Sequence, residues 1–180
     1  MSNITTYYNH SFNPTTAILD DIDIRDIAHS LSLLCRAGGH IPHFYSVAQH
    51  CLNCLEEARA RQYSSRVQLG CLLHDAGEAY LSDITRPVKK FLPKYREIEN
   101  QLQTLIFGKW LSPNLTTEEI KQVFEIDDAM LYHEFLQLTG KQLFETAPSI
   151  QVTPDFSFAD FEKIKEQYLS EFTSLVANLN

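Results

Sequence analysis

A chain of 180 residues with 44% hydrophobic content is long enough to bury one core, and the expectation is a single compact domain over residues 1–180. The net charge of −8 excludes broad binding to a nucleic-acid backbone, which needs a basic face to displace counterions, but leaves room for a small anionic substrate where a few basic residues converge. The opening "MSNITTYYNHSFNP" has neither a basic n-region nor an apolar h-region, and no apolar run approaches the roughly twenty residues that span a bilayer, so the expectation is a cytoplasmic protein with no membrane partner.

Strand-like alternation is confined to about the first dozen residues. Ile24, Ile27, Ala28, Leu31 and Leu34 then recur at helical spacing, with Gly38 and Gly39 as the stop, which puts Arg36 at the C-terminal end of that helix. In "FYSVAQHCLNCLEEARAR" the residues Val47, His50, Cys51, Cys54, Leu55 and Ala58 form one stripe, so His50 belongs to a buried face. The next helix is expected from about Ser64 to Ala76, with Val67, Cys71, Leu72 and Asp75 on one side. Pro87 and Pro93 bracket a short irregular segment before a helix that ends near Trp110. Thr116 followed by Glu119 is a capping-box pattern, and Gly140 closes the helix it opens; Asp127, Leu131 and Glu134 share one of its faces. Residues 145–156 read as a loop. Asp155 or Ser157 is expected to begin a terminal amphipathic helix, about 157–179, through Phe161, Ile164, Tyr168, Phe172 and Val176. The fold class is all-α.

Cys35, Cys51, Cys54 and Cys71 all lie in apolar helical patterns, which favours buried reduced thiols over disulfides. The "CLNC" at 51–54 has no second pair to complete a zinc knuckle and is read as core packing.

The chemistry is concentrated in "GCLLHDAGEAYLSDITRPVKK", residues 70–90, where His74 and Asp75 follow an apolar run directly. Desolvating a carboxylate there costs several kcal/mol unless a positive charge compensates, and a metal ion is the first suspect. His50 on one helix, His74 and Asp75 on a second, and Asp127 on a third make two imidazoles and two carboxylates. That set suits one divalent ion, Mn, Co, Fe, Ni or Zn with Mg also possible, and leaves positions free for water and substrate oxygens. Any one of these residues alone is better read as a satisfied core histidine or a cap. Asp127 followed by Asp128 inside a helix is harder to explain that way, because Asp is a poor helix former.

The order H…HD…D, with "HDAGEAYLSDITRPVK" after the second His and "EIDDAMLYHE" around the last Asp, resembles the HD-domain metal-dependent phosphohydrolases over roughly residues 25–140. Within them it is most similar to bacterial 5'-deoxynucleotidases and phage deoxynucleoside triphosphate hydrolases. The resemblance implies a helical bundle of HD type, with His50, His74, Asp75 and Asp127 as metal ligands. It makes Glu78 the carboxylate that orients or deprotonates the attacking water and Asp83 a second carboxylate near the ester and sugar. Arg36 becomes the grip on the substrate phosphate, with Lys89 holding anionic oxygens. The implied partner is a small nucleotide, not a nucleic-acid polymer, and relatives of this kind form homo-oligomers.

Three positions depart from the family pattern. The interval from His50 to His74 is short, Gln49 stands where an acidic residue often precedes the first His, and Ala37 replaces a Trp that helps exclude a ribose 2'-hydroxyl. His40 and His43 read as loop residues, and Tyr45 and Phe44 as aromatic side chains that could stack on a base. Two other readings compete. A di-iron carboxylate bundle needs Glu-x-x-His pairs, which the sequence lacks. A catalytically silent nucleotide-binding or regulatory module of HD type has no need for Glu78 and Asp83.

Overall fold

The computed structural model describes residues 3–179 and is all-α apart from one small hairpin. Strand β1 (Ile4–Thr5) pairs antiparallel with β2 (Ser11–Phe12), and buried Phe12 stacks on Tyr80. Eight helices follow: α1 (Ile24–Leu33), α2 (Val47–Ala60), α3 (Ser65–Leu73), α4 (Glu78–Leu81), α5 (Arg86–Lys89), α6 (Pro93–Trp110), α7 (Thr117–Thr139) and α8 (Phe161–Ala177). No helix among the described residues is long and apolar enough to cross a membrane.

Helices α2 and α3 form the centre. They pack on each other and on α7 and α8, while α1 lies against α2, α4 and α8. Helix α2 is buried almost all round, which is why its hydrophobic stripe spreads beyond one face, and Leu55, Leu69, Leu72 and Leu73 are wholly enclosed. Each such leucine contributes about 1.5–3 kcal/mol relative to leaving it exposed. At Gly70 of α3 a Cβ would sit 2.9 Å from a methyl of Leu115, just ahead of α7, and 3.0 Å from one of Val123 on α7.

Local sequence rules account for several boundaries. Thr116 and Glu119 make the reciprocal capping box of α7, and Gly140 ends it in the left-handed conformation at φ 72°. The third helix stops at Leu73, with Ser64 as its N-cap, so the expected run to Ala76 is too long: His74 to Gly77 form a turn that redirects the chain into α4. The segment between Pro87 and Pro93 is more regular than expected, since Arg86–Lys89 close one helical turn with the proline near its start.

Two expectations fail for tertiary reasons. Helix α1 ends at Leu33, ahead of the glycines, because Leu34 turns extended and the loop pairs with residues ahead of α2: the Arg36 N–H donates to the Tyr45 carbonyl (2.9 Å) and the Val47 N–H to the Leu34 carbonyl (2.9 Å). Arg36 therefore lies in a turn, with Ala37 and Gly38 at positive φ, and not at a helix C-terminus. Helix α8 begins at Phe161, with Asp160 accepting from the N–H groups of Glu162 and Lys163, later than the expected 155–157. The loop 145–156 and the residues after it are instead strapped to one face of α2. Gln49 donates to the Ser157 carbonyl, Asn53 to that of Asp155, and fully buried Glu57 accepts from the backbone N–H groups of Gln151 and Val152. Gln49 also closes the α2 capping box with Ser46, so the residue in the acidic position has a structural role on both counts.

Candidate metal centre

Helices α2, α3 and α7 bring His50, His74 and Asp127 to one point, and the turn after α3 adds Asp75. His50 is wholly enclosed, and its Nδ1–H donates to Glu134 Oε1 at 2.6 Å. His74 donates its Nδ1–H to the Cys71 carbonyl at 2.7 Å. With both Nδ1 atoms committed as donors, both Nε2 atoms present lone pairs, and these lie 3.2 Å apart. Asp127 Oδ1 is 3.1 Å from the His50 Nε2 and 3.6 Å from that of His74; Asp75 Oδ2 is 3.3 Å from His74 Nε2 and 3.9 Å from His50 Nε2. Around an ion with metal–nitrogen and metal–oxygen distances of about 2.0–2.2 Å, neighbouring donors stand roughly 3.0–3.5 Å apart, so atoms spaced 3.1–3.9 Å apart are placed where they could share one divalent cation. Lone pair against lone pair at this distance repels unless a cation or a proton sits between them, and the donor set meets that requirement.

Electrostatics point the same way. Burial and then the charge of Arg36 oppose protonation of His50, but Cys54, Glu134 and Asp127 hold the imidazole well above its ordinary pKa; His74 is raised likewise, with Asp75, Cys51 and Asp127 prevailing over burial. Asp127 is pushed well down by the two imidazoles despite its burial, and Asp75 is lowered by His74 and Arg36 against the same penalty. The site is thus a concentration of negative potential in which a cation is favoured.

Two buried thiols border it. Cys54 Sγ is 3.6 Å from His50 Nε2, and donor atoms of His50, Cys54 and His74, and of Cys51, His74 and Asp75, also lie within 4.8 Å of one another. Asp127 approaches His50 Nε2 more closely than Cys54 does, and both carboxylates face the cavities, whereas the thiols are buried and line neither cavity, and burial raises that of Cys51. All four cysteines are unpaired, as expected, although Cys35 is only partly buried.

Asp127, not Asp128, reaches the histidines. Arg86 spans the pair, donating to Asp127 Oδ2 and Asp128 Oδ1 at 2.5 Å each, which leaves Asp127 Oδ1 for the centre. Glu78 opens α4 and is 4% exposed; Oε1 accepts from Lys89 at 3.0 Å, while Oε2 is enclosed without a hydrogen-bond partner. Burial, and then the charges of Asp75 and Asp83, hold the Glu78 carboxyl well above the usual carboxylate range. Lys89 is not a free cation, since Glu99 takes it at 2.5 Å as well. Asp83 accepts from the Ala37 N–H at 3.0 Å and so pins the turn that carries Arg36. Arg36 lies between Asp75 Oδ2 and Glu134 Oε2, 3.4 Å from each.

Two cavities, of about 520 and 630 Å³, open onto the centre and share Asp75, Glu78, Arg86, Lys89, Lys90 and Asp127 as common walls. Arg36, Ala37, His40 and Asp83 line the larger one, beside an apolar wall that includes Leu131, Phe135 and Phe144. Tyr45 does not offer a face to either cavity: it is fully enclosed behind the centre, with its hydroxyl donating to Glu134 Oε1 (3.0 Å) and accepting from Asn53 (2.8 Å). Phe44 lines neither cavity, and His43 is bonded to the Phe156 carbonyl. Sequence reasoning used Glu134 only as a landmark and gave Arg86 and Glu99 no role. The signal for Glu134 was present, because it shares the face of α7 that carries Asp127.

No family model matches the chain. It is 39% identical over 121 residues to an uncharacterized protein of Escherichia coli K12, YfdR, an alignment covering 67% of this chain and 65% of the relative. An uncharacterized protein of Rhodobacter capsulatus is 35% identical over 116 residues, covering 61% and 59% respectively. The chain therefore spans less than two thirds of the length of either relative.

Proposed function

We propose that the chain is a divalent-metal-dependent phosphohydrolase of HD type that cleaves a phosphate ester or anhydride of a nucleotide, with 2'-deoxynucleotides as the substrate class. The observation that carries this reading is the convergence of His50 Nε2, His74 Nε2, Asp75 Oδ2 and Asp127 Oδ1 beside a carboxylate, Glu78, whose inner oxygen has no partner. Enclosed cations or carboxylates serving only structure are normally paired. When bound, a divalent ion supplies Lewis-acid polarisation of the phosphoryl group and acidifies water toward neutrality.

The protein's own groups have complementary tasks. Glu78 Oε2 is free to accept a proton from an attacking water while Lys89 fixes the other oxygen. Arg36 faces the larger cavity on long contacts, so its guanidinium retains donors for phosphate oxygens. Asp83 acts on the substrate side by holding the Arg36–Ala37 turn. A silent nucleotide-binding module has no use for an unpaired carboxylate oxygen at the metal, and this favours the enzyme. The deoxy preference rests on the family resemblance, with Ala37 in the cavity wall where a Trp stands in similar sequences.

The test is a panel of deoxy- and ribonucleotide mono- and triphosphates with several divalent ions, resolving phosphate from pyrophosphate and triphosphate. Turnover that requires the ion, is abolished by chelation, and disappears with the metal in Asp127→Ala is expected. Stoichiometric metal and full activity in Asp127→Ala would sink the ligand assignment. Equal kcat/KM for a deoxynucleotide and its ribonucleotide would remove the sugar preference alone.

A further inference from the structure

Away from the centre, a second set of metal-type donors joins the N-terminal hairpin to α1. His10, just ahead of β2, Asp23, the N-cap of α1, and Asp26 in its first turn each bring one ligand atom within 4.8 Å of the other two. Acidic residues at a helix N-terminus are ordinary, and Asp23 is accounted for in that way. It accepts the Arg25 N–H at 2.8 Å and the Arg25 guanidinium through Nε and Nη2. Asp26 is not accounted for. Its side chain is 4% exposed, and where a carboxylate at this position of a helix commonly turns back to cap it, Oδ1 accepts the Tyr8 N–H of the hairpin at 2.9 Å. Oδ2 is enclosed and has no hydrogen-bond partner, although His10 Nδ1 is only 3.0 Å away. A nitrogen and an oxygen that close without a hydrogen bond between them are arranged as two ligands of one ion are. At about 2.1 Å from a common ion, donors 3.0 Å apart subtend roughly 90°, so each aims past the other at a third point. The backbone of His10 is fixed for this, its carbonyl accepting the Thr6 N–H (3.0 Å) and its N–H donating to Thr6 Oγ1 (3.1 Å).

We propose that His10, Asp23 and Asp26 form a second divalent-cation site that clamps the hairpin to α1. An imidazole with two carboxylates suits a first-row ion such as zinc, whose charge the two carboxylates balance, and water completes the coordination on the side where His10 is half-exposed. Asp23 gives up a lone pair to the ion when Arg25, whose side chain is 56% exposed, turns toward solvent. The ion secures a hairpin of two-residue strands, which is too short to stand alone. Through Phe12 stacked on Tyr80, that hairpin packs on α4, the helix that Glu78 opens.

Zinc is the probe, counted on the full chain by equilibrium dialysis at a free concentration that saturates the wild type. His10→Gln removes a half-exposed ring, so the fold is kept and the circular dichroism spectrum should match wild type. This variant is expected to bind one zinc fewer, both in the wild-type background and in Asp127→Ala, so that the count does not depend on what the centre between the histidines retains. Asp26→Asn keeps Oδ1 for the Tyr8 N–H and should weaken this zinc by about tenfold or more, since losing a ligand costs at least as much as losing the group that orients one. The position of the ion is read from hydrogen exchange of the Tyr8 amide. With zinc at about ten times its Kd, exchange should slow about tenfold in Asp127→Ala and not at all once His10 is also replaced. Equal zinc counts with and without His10 overturn the site and leave His10 and Asp26 as an ion pair only. A lost zinc with unchanged Tyr8 exchange places the ion away from the hairpin and overturns the clamp as well. Nucleotide turnover enters neither readout, so the outcome is independent of the phosphohydrolase reading.

Discussion

Replacing Glu134 by Gln removes one charge and almost no volume, which makes it the sharpest probe of how the centre is held. Glu134 Oε1 takes the Nδ1–H of His50 at 2.6 Å and the Tyr45 hydroxyl at 3.0 Å, and Oε2 faces Arg36 at 3.4 Å. In the Glu134→Gln variant the amide oxygen has to keep the His50 and Tyr45 contacts, since the reverse orientation sets donors against donors. The NH₂ then points at the Arg36 guanidinium. The His50 contact falls from a charge-assisted to a neutral hydrogen bond, a loss of about 1 kcal/mol or somewhat more. Arg36 is left with Asp75 as its nearest counter-charge, and breaking one partner from a buried pair costs about 3–5 kcal/mol; the long 3.4 Å contact argues for the lower end.

Two measurements separate these effects. Metal affinity, by competition with a chromophoric chelator, is expected to fall ten- to a hundredfold, the usual effect of losing the group that orients a ligating histidine. The Tm in chelator should fall by roughly 6–12 °C, from about 3 kcal/mol at 2–4 °C per kcal/mol for a domain of this size. An affinity within twofold of wild type together with the lowered Tm would refute the orienting role and leave Glu134 as a counter-ion for Arg36.

Glu78→Ala should retain the metal and lose on the order of 10²- to 10⁴-fold in turnover, as for removal of a general acid–base group; a drop below about fivefold in a steady-state assay returns Glu78 to structure. Glu57→Ala strips the acceptor from two backbone N–H groups and from Arg61, and a loss of about 3 kcal/mol is expected because Arg61 can turn to water; a thermal melt within 2 °C of wild type would show that the loop does not depend on this strap. Gly70→Ala forces a methyl against Leu115 and Val123 and should destabilise by about 1–3 kcal/mol, read as a lower urea midpoint at unchanged m-value; an unchanged midpoint would mean that α3 and α7 separate without cost.

What was legible in the sequence follows the range of the forces involved. The α7 box at Thr116 and its stop at Gly140 are decided within one turn of chain, and both are where the residues place them. Periodicity also put His50 on the buried side of α2 and Asp127 beside Glu134 on α7. The end of α1 was misread because the glycines are a local stop, whereas the decisive event is pairing of Leu34 and Arg36 with the residues that lead into α2. At the other end, Asp155 does form the local turn that suggested a helix start, its side chain accepting the Ser157 N–H at 2.9 Å. Burial of Phe156 and the contacts from Gln49 and Asn53 keep that turn in the loop, and Asp160 becomes the cap. Arg86 and Lys89 show the same limit. Their composition marks them as cations, but the choice between carboxylate and substrate is made by residues brought together only in the fold.

The site can also be followed as one chain of alternating charge. From the loop after α1 it runs Arg36, Glu134, His50, Asp127, Arg86, Asp128, each against the next. The inner members are enclosed and Arg86 and Asp128 are half-exposed, so the cost of desolvation is concentrated at the histidine end. There the two imidazoles face two carboxylates, of which Asp75 is also approached by Arg36 and Asp127 by Arg86, while Glu134 and His50 pair directly. The step between the histidines and Asp75 and Asp127 is the one where a divalent ion could sit, and both carboxylates line both cavities. A closed structural metal site needs neither the opening nor the enclosed, unpaired oxygen of Glu78 beside it. Both features are costly in a scaffold and useful in a reaction, and Glu78 is the buried side chain with an unpartnered oxygen that lines both cavities, which is the physical reason to look for turnover.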